Sequence, residues 1–158
     1  MPLHLEIVTP EKRAFVGDVD EVIVPGSEGE LGILPHHAPL ISLLGHGVLR
    51  LKRGDQEQEF AIFGGFLQVR PNRVVVLAET ADLASEIDLE RAERARREAE
   101  HVLEGAVEPA DLAGAREALQ RALIRIRLAE RGARRPRGGH EAARRHTEAP
   151  REEPPGGE

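Results

Sequence analysis

A chain of 158 residues that is 40 % apolar has enough material for one ordinary domain with a real core, or a small domain and an appendage. The 3 % aromatic content is four Phe, and the net charge is −6, which argues against a base-stacking or phosphate-coating nucleic-acid binder. With no cysteine, no run near the roughly 18 apolar residues of a membrane span, and neither part of a secretory signal in residues 1–6, the chain reads as a soluble intracellular protein.

Residues 1–84 carry 7 basic and 12 acidic side chains and read as β structure. Leu3, Leu5 and Ile7 alternate with other residues in the period-2 pattern of a half-buried strand. Short β-branched or aromatic runs follow at 22–24, 48–51, 60–63, 66–69 and 74–77. Pro25-Gly26, Gly45-His46-Gly47, Arg53-Gly54-Asp55 and Pro71-Asn72 separate them as turn signals. Many short strands with no helix between them predict an antiparallel sandwich or flattened barrel. Gly64-Gly65 interrupts an apolar run and predicts a bulge or a close backbone approach at a sheet corner.

The periodicity turns helical near residue 85. Residues 86–104 place Leu89, Ala92, Ala99, Val102 and Leu103 on one face, and Gly105 reads as the end of that helix. Pro109 opens a second helix in which Leu112, Ala115, Leu119, Ala122, Ile126 and Ala129 recur at alternating steps of three and four. Gly132 reads as its stop, and the short connection predicts an antiparallel helical hairpin over 85–132. Each Ala in the seam gives up about 0.8 kcal/mol per methylene missing relative to Leu. Such a hairpin needs a further support and should be separable from it. Residues 133–158 hold almost nothing apolar larger than Ala and predict a disordered tail.

Catalytic signatures are missing. The chain has no phosphate loop, no G-x-G-x-x-G and no G-x-S-x-G, with three Ser and three Thr in all. His36-His37 follows Pro35 without a metal-binding companion, and Asp18, Asp20 and Glu21 read as a charged turn that blunts a sheet edge. The residues therefore predict a non-enzymatic protein. A stand-alone adaptor that binds some other partner stays open on these grounds, and a hydrolase built on His36 and His37 has no motif behind it.

Two stretches are more specific. One is Gly26-Ser27-Glu28-Gly29-Glu30-Leu31-Gly32-Ile33-Leu34-Pro35-His36-His37-Ala38-Pro39-Leu40. The other is Gly64-Gly65-Phe66-Leu67-Gln68-Val69-Arg70-Pro71-Asn72, running on to Glu79. Together, in this order and followed by the helical hairpin, they make residues 3–131 similar to the epsilon subunits of bacterial F-type ATP synthases. The resemblance implies an α+β chain: an N-terminal antiparallel β-sandwich of about ten strands, then the two-helix hairpin. It implies a rotor component that binds the gamma subunit and the membrane c-ring, reaches the membrane only through the complex, and couples proton flow to ATP synthesis. It further implies that the hairpin can extend towards the alpha and beta subunits and inhibit ATP hydrolysis.

Site residues carry over position by position. Glu28, Glu30 and Gly32, with His37 beside them, match the segment that touches the c-ring. Ile87-Asp88-Leu89-Glu90-Arg91-Ala92 matches an ATP-binding motif, with Arg121 and Arg125 as its partner arginines and Asp82 where some members carry a Glu. The resemblance thus implies a regulatory ATP, with no cofactor required. Asp88 reads equally as a helix cap. Arg121, Arg125 and Arg127 lie on the basic side of the second helix that would meet the catalytic beta subunit.

Overall fold

The computed structural model describes residues 2–134. Strand β1 (Leu3–Val8) follows the expected alternation, with Leu3, Leu5 and Ile7 fully buried, and pairs antiparallel with β2 (Arg13–Val19). β3 (Glu21–Gly26) and β4 (Gly29–Ile33) form a hairpin. Pro25-Gly26, read as a turn, ends β3 instead; the turn lies at Ser27-Glu28, followed by Gly29 at φ 136°. β5 (Leu40–Leu43), β6 (His46–Arg53), β7 (Gln56–Arg70) and β8 (Arg73–Leu83) complete the sheet.

Hydrogen bonding runs in the order β2-β1-β8-β7-β6-β3-β4, with β5 on the far half of β7. This single ribbon makes two layers because β7 and β8 turn a corner together. Residues 56–63 of β7 pair with β6, residues 66–69 pair with β5, and Gly64-Gly65 lies between them. Gly64 sits at φ 69° and Gly65 at φ 120°, and a Cβ on Gly65 would collide with the Leu77 carbonyl oxygen. The expected close approach is this corner. Eight strands are thus found among the described residues where about ten were expected. The runs 60–63 and 66–69, read as separate strands, are two arms of β7, one in each layer. The sandwich is also not wholly antiparallel, since β1 lies parallel to β8. The chain between them serves as the long crossover that a parallel pair requires. Leu5, Val24, Leu49, Phe60, Ile62, Leu67 and Val76 fill the space between the layers.

A 3-10 turn at Ala84–Glu86 leads into α1 (Leu89–Gly105) and α2 (Pro109–Arg134). α1 starts three residues later than its periodicity predicted because Asp88 takes the cap position, its Oδ1 accepting from the Arg91 amide at 3.2 Å. α2 continues through Gly132. The left-handed glycines among the described residues are Gly29, Gly54, Gly64 and Gly65, so Gly132 does not form the cap that would end a helix there. Residues 133 and 134 are accordingly helical, not part of a tail, and 135–158 lie outside the described residues.

The hairpin seam is narrow. Ala92 and Ala99 of α1 are buried with Ala115, Ala122 and Ile126 of α2, whereas Leu89 and Val102, expected on the same face, stay 36 % and 43 % exposed. A second stripe of α2 supplies the missing support. Leu128 is fully buried and Ile124 partly so, against Val48, Ala61 and Phe63 of the sandwich and Ala84 and Ile87 beyond it.

Candidate functional site

The sandwich and the hairpin meet over Phe63. The four-residue spacing of Arg121 and Arg125 puts both on the α2 face that covers this ring, their guanidinium carbons 5.5 and 4.6 Å from its centroid. Asp82 sits opposite Ala61 in the β7–β8 register, which turns its carboxylate towards α2. Arg125 Nε donates to Asp82 Oδ2 at 2.9 Å with both side chains part-buried. Arg121 Nη2 donates to Glu117 Oε1 at 2.8 Å and lies 3.7 Å from Glu79 Oε2. His46, at the start of β6, brings Nε2 to 3.6 Å from the same Glu117 oxygen, with its ring 5.8 Å from Phe63. Near the end of α2, Arg131 Nη1 reaches the buried carboxylate of Glu59 at 3.5 Å.

Beside this contact lies a cleft of about 380 Å³. Asp82 and Arg125 form one side, and Asp88 and Arg91 in the first turn of α1 form another. Leu83, Ile87, Ala92 and Ala95 give it an apolar wall, and Lys12 reaches it from the β1–β2 turn. Four of the five residues expected to hold ATP therefore line one cleft. Arg121 is the exception: it is drawn instead to Glu117 and Glu79. Lys12 was not anticipated, because a lysine in a turn reads as solvated.

The arginines expected to act together on a catalytic partner are divided. Arg121 and Arg125 are turned against the sandwich, whereas Arg127 is exposed. Glu28, Glu30 and Gly32 are exposed on the β3–β4 hairpin, and Arg50 approaches Glu30 at 3.6 Å. His37 follows β4 in a loop where His36 adopts φ 66°. The His37 Nδ1–H donates to the Ala38 carbonyl at 2.7 Å, and the His36 amide donates to the Pro71 carbonyl at 2.9 Å, tying this loop to the β7–β8 turn. On the same layer as that turn, the Arg73 guanidinium bonded to Glu6 holds the Glu6 carboxyl below its ordinary range.

A further surface escaped the sequence reading. Leu43, Phe66 and Leu77 stand side by side across β5, β7 and β8, 54 %, 55 % and 50 % exposed, with Ile41 one step along at 75 %. They occupy the outer face of the layer that the hairpin does not cover. Continuous apolar runs concealed them, because such runs read as strands buried on both faces.

The description "ATP synthase, Delta/Epsilon chain, beta-sandwich domain" matches residues 2–84, and "ATP synthase, Delta/Epsilon chain, long alpha-helix domain" matches residues 85–130. The chain is 47 % identical over 135 residues to an ATP synthase epsilon chain of Dehalococcoides mccartyi, covering 85 % of this chain and 96 % of that one. It is 47 % identical over 130 residues to the epsilon chain of Halalkalibacterium halodurans, covering 82 % and 98 %. In fold it is similar to a chain of the Euglena gracilis mitochondrial ATP synthase assembly of OSCP, F1 and c-ring, with TM-score 0.70, 22 % identity and 84 % and 81 % coverage. A chain of the Tetrahymena thermophila mitochondrial central stalk and c-ring gives TM-score 0.54 at 15 % identity, covering 84 % of this chain and 96 % of that one. With a sandwich and a helical hairpin matched in order, and such relatives aligned over most of both lengths, the chain belongs to the ATP synthase epsilon-chain family.

Proposed function

We propose that this chain is a non-catalytic rotor subunit of the central stalk, docked on the gamma subunit and the c-ring, at the cytoplasmic face of the membrane through the complex. The observation that carries this is the bare apolar row of Leu43, Phe66 and Leu77 with Ile41. Exposed apolar clusters of this kind mark protein–protein contacts, and the hairpin occupies the opposite layer, leaving this face for a permanent partner. Glu28, Glu30, Gly32 and His37 supply the c-ring contact. Among the described residues no helix is long and apolar enough to cross a membrane.

The hairpin is the regulatory part. Its hold on the sandwich is a small apolar cluster and a few ion pairs, so opening exposes little apolar surface. Opening also releases Arg121 and Arg125 from Glu117, Glu79 and Asp82, so that with Arg127 they can meet an acidic segment of the beta subunit and inhibit hydrolysis, with the alpha subunit alongside. The cleft fits a regulatory ATP: Arg91, Arg125 and Lys12 face the space in which phosphates would lie, and Leu83, Ile87, Ala92 and Ala95 offer a base an apolar wall. When bound, ATP would supply charge that holds the hairpin against the sandwich and opposes inhibition. Arg125 would then exchange its bond to Asp82 for one to phosphate.

The test is ATP hydrolysis by the host's catalytic head stripped of this subunit. Adding back residues 1–158 is expected to inhibit. A chain ending at residue 87 keeps the whole inter-layer core and is expected to bind gamma without inhibiting. Failure of both to bind gamma would sink the rotor reading. Binding without inhibition by the full chain would remove only the inhibitory part.

A further inference from the structure

The outer face that carries the apolar row changes character towards the β7–β8 turn. The strand register lays it out in three rows. Leu43, Phe66 and Leu77 form the first, Ile41, Gln68, Val75 and Glu6 the second, and Arg70, Arg73 and His4 the third. Arg70 and Arg73 are thus directly opposed across β7 and β8, both exposed and neither part of the inter-layer core. Like charges in that position destabilise a strand pair, so the fold itself gains nothing from them. With Gln68 and Val75 they line a depression of about 230 Å³, and no carboxylate of the described residues stands in its wall. The nearby carboxylates are already engaged. Glu6 accepts from Arg73 Nη2 at 3.3 Å, lies 3.7 Å from His4, and feels the charge of Arg13 as well. Asp18, further across the face, lies 3.1 Å from His4 Nδ1. Arg70 has no ion-pair partner among the described residues.

A guanidinium fork binds a planar carboxylate through two parallel hydrogen bonds. The source of that carboxylate follows from continuity. Ile41, 75 % exposed, is the register partner of Gln68, so the depression opens directly beside the apolar row. A body that covers the row also covers the depression and excludes water from it, which strengthens a charge pair there. We propose that Arg70 and Arg73 form a seat for an Asp or Glu side chain of the protein partner docked on the apolar row, with Glu6 competing for Arg73 and so setting the strength of the seat. This rests on the docking reading of that row and adds to it the chemistry that the partner must present. An apolar row supplies area with little directional preference, whereas a carboxylate in a fork fixes the register of the docked partner.

Capture of the full chain by the host's gamma subunit at low and high salt tests this, using the parent and Arg70→Gln, Arg70→Glu, Glu6→Gln and Arg94→Gln variants. Arg70→Gln should weaken capture roughly fivefold and flatten its salt dependence, and Arg70→Glu should weaken it tenfold or more, by like-charge repulsion. Glu6→Gln frees Arg73 for the incoming carboxylate and should tighten capture about twofold, a gain that a merely structural role for Glu6 would not produce. Arg94→Gln, exposed on α1, should change nothing. No capture of gamma by the parent would overturn the docking reading and this inference with it. Capture by the parent that neither Arg70→Glu nor Glu6→Gln alters would overturn the carboxylate seat alone, as would an equal loss in Arg94→Gln, which would show diffuse attraction. Unaltered capture with loss of binding to phosphatidylglycerol vesicles in Arg70→Glu would also overturn it, and would give the two arginines to a lipid phosphate.

Discussion

Gly65 does at one residue what no other amino acid could do there. Its φ of 120° lies where side chains are strained, and its α-carbon approaches the Leu77 carbonyl too closely for any Cβ. Gly65→Ala must therefore move the β7–β8 pairing or leave the fold, at about 3 kcal/mol or more. Urea unfolding of the full chain should show this as a lower midpoint, whereas Gly32→Ala, with nothing near its would-be Cβ and no left-handed φ, should stay within about 0.5 kcal/mol. Equal midpoints for the two variants would refute this account of the corner. Gly64-Gly65 was legible as a corner from its place in an apolar run. Gly132 was misread, because glycine ends a helix only when the backbone turns left-handed, and sequence does not report φ. Lys12 illustrates a different blindness: it lines the same cleft as Arg91, far along the chain, and no local pattern links a turn lysine to the first turn of a helix.

At the scale of elements, the hairpin and its support separate into two kinds of information. The α2 seam was legible because steps of three and four mark one face, and Ala115, Ala122 and Ile126 are buried as that spacing requires. The Ala-rich seam also showed that another contact was needed. Which residues make that contact was not legible, because Ile124 and Leu128 fall off the seam and Phe63 sits in an all-apolar run. Leu128 is the centre of the attachment. Leu128→Ala should cost about 2–5 kcal/mol of local stability, concentrated in the hairpin because the inter-layer core contains no hairpin residue. Amide hydrogen exchange should speed up along α1 and α2 while β7 and β8 keep their protection. Uniform acceleration in both would mean that sandwich and hairpin unfold as one unit.

Across the whole molecule, the two outer faces of the sandwich have opposite assignments. One is covered by α2; the other is bare and apolar. Replacing Ile41 and Phe66 together by Ser removes exposed apolar surface without touching the inter-layer core, so thermal stability should hold within about 1 kcal/mol. Capture of the gamma subunit by the doubly substituted full chain should fall at least tenfold, about 1.4 kcal/mol. Undiminished capture would place the gamma contact elsewhere.

The bent ribbon of β7 and β8 has a mechanical consequence. The apolar row lies on the arms of these strands beyond the corner and on β5 beside them, and the Phe63 contact lies on the arms before it. A torque applied at one face is delivered to the other through covalent main chain and paired hydrogen bonds, in addition to the side chains packed between the layers. Tight glycine geometry at the bend leaves little room for it to flex. The sandwich then behaves as a stiff crank, and the compliance of the molecule is concentrated where α2 rests on it.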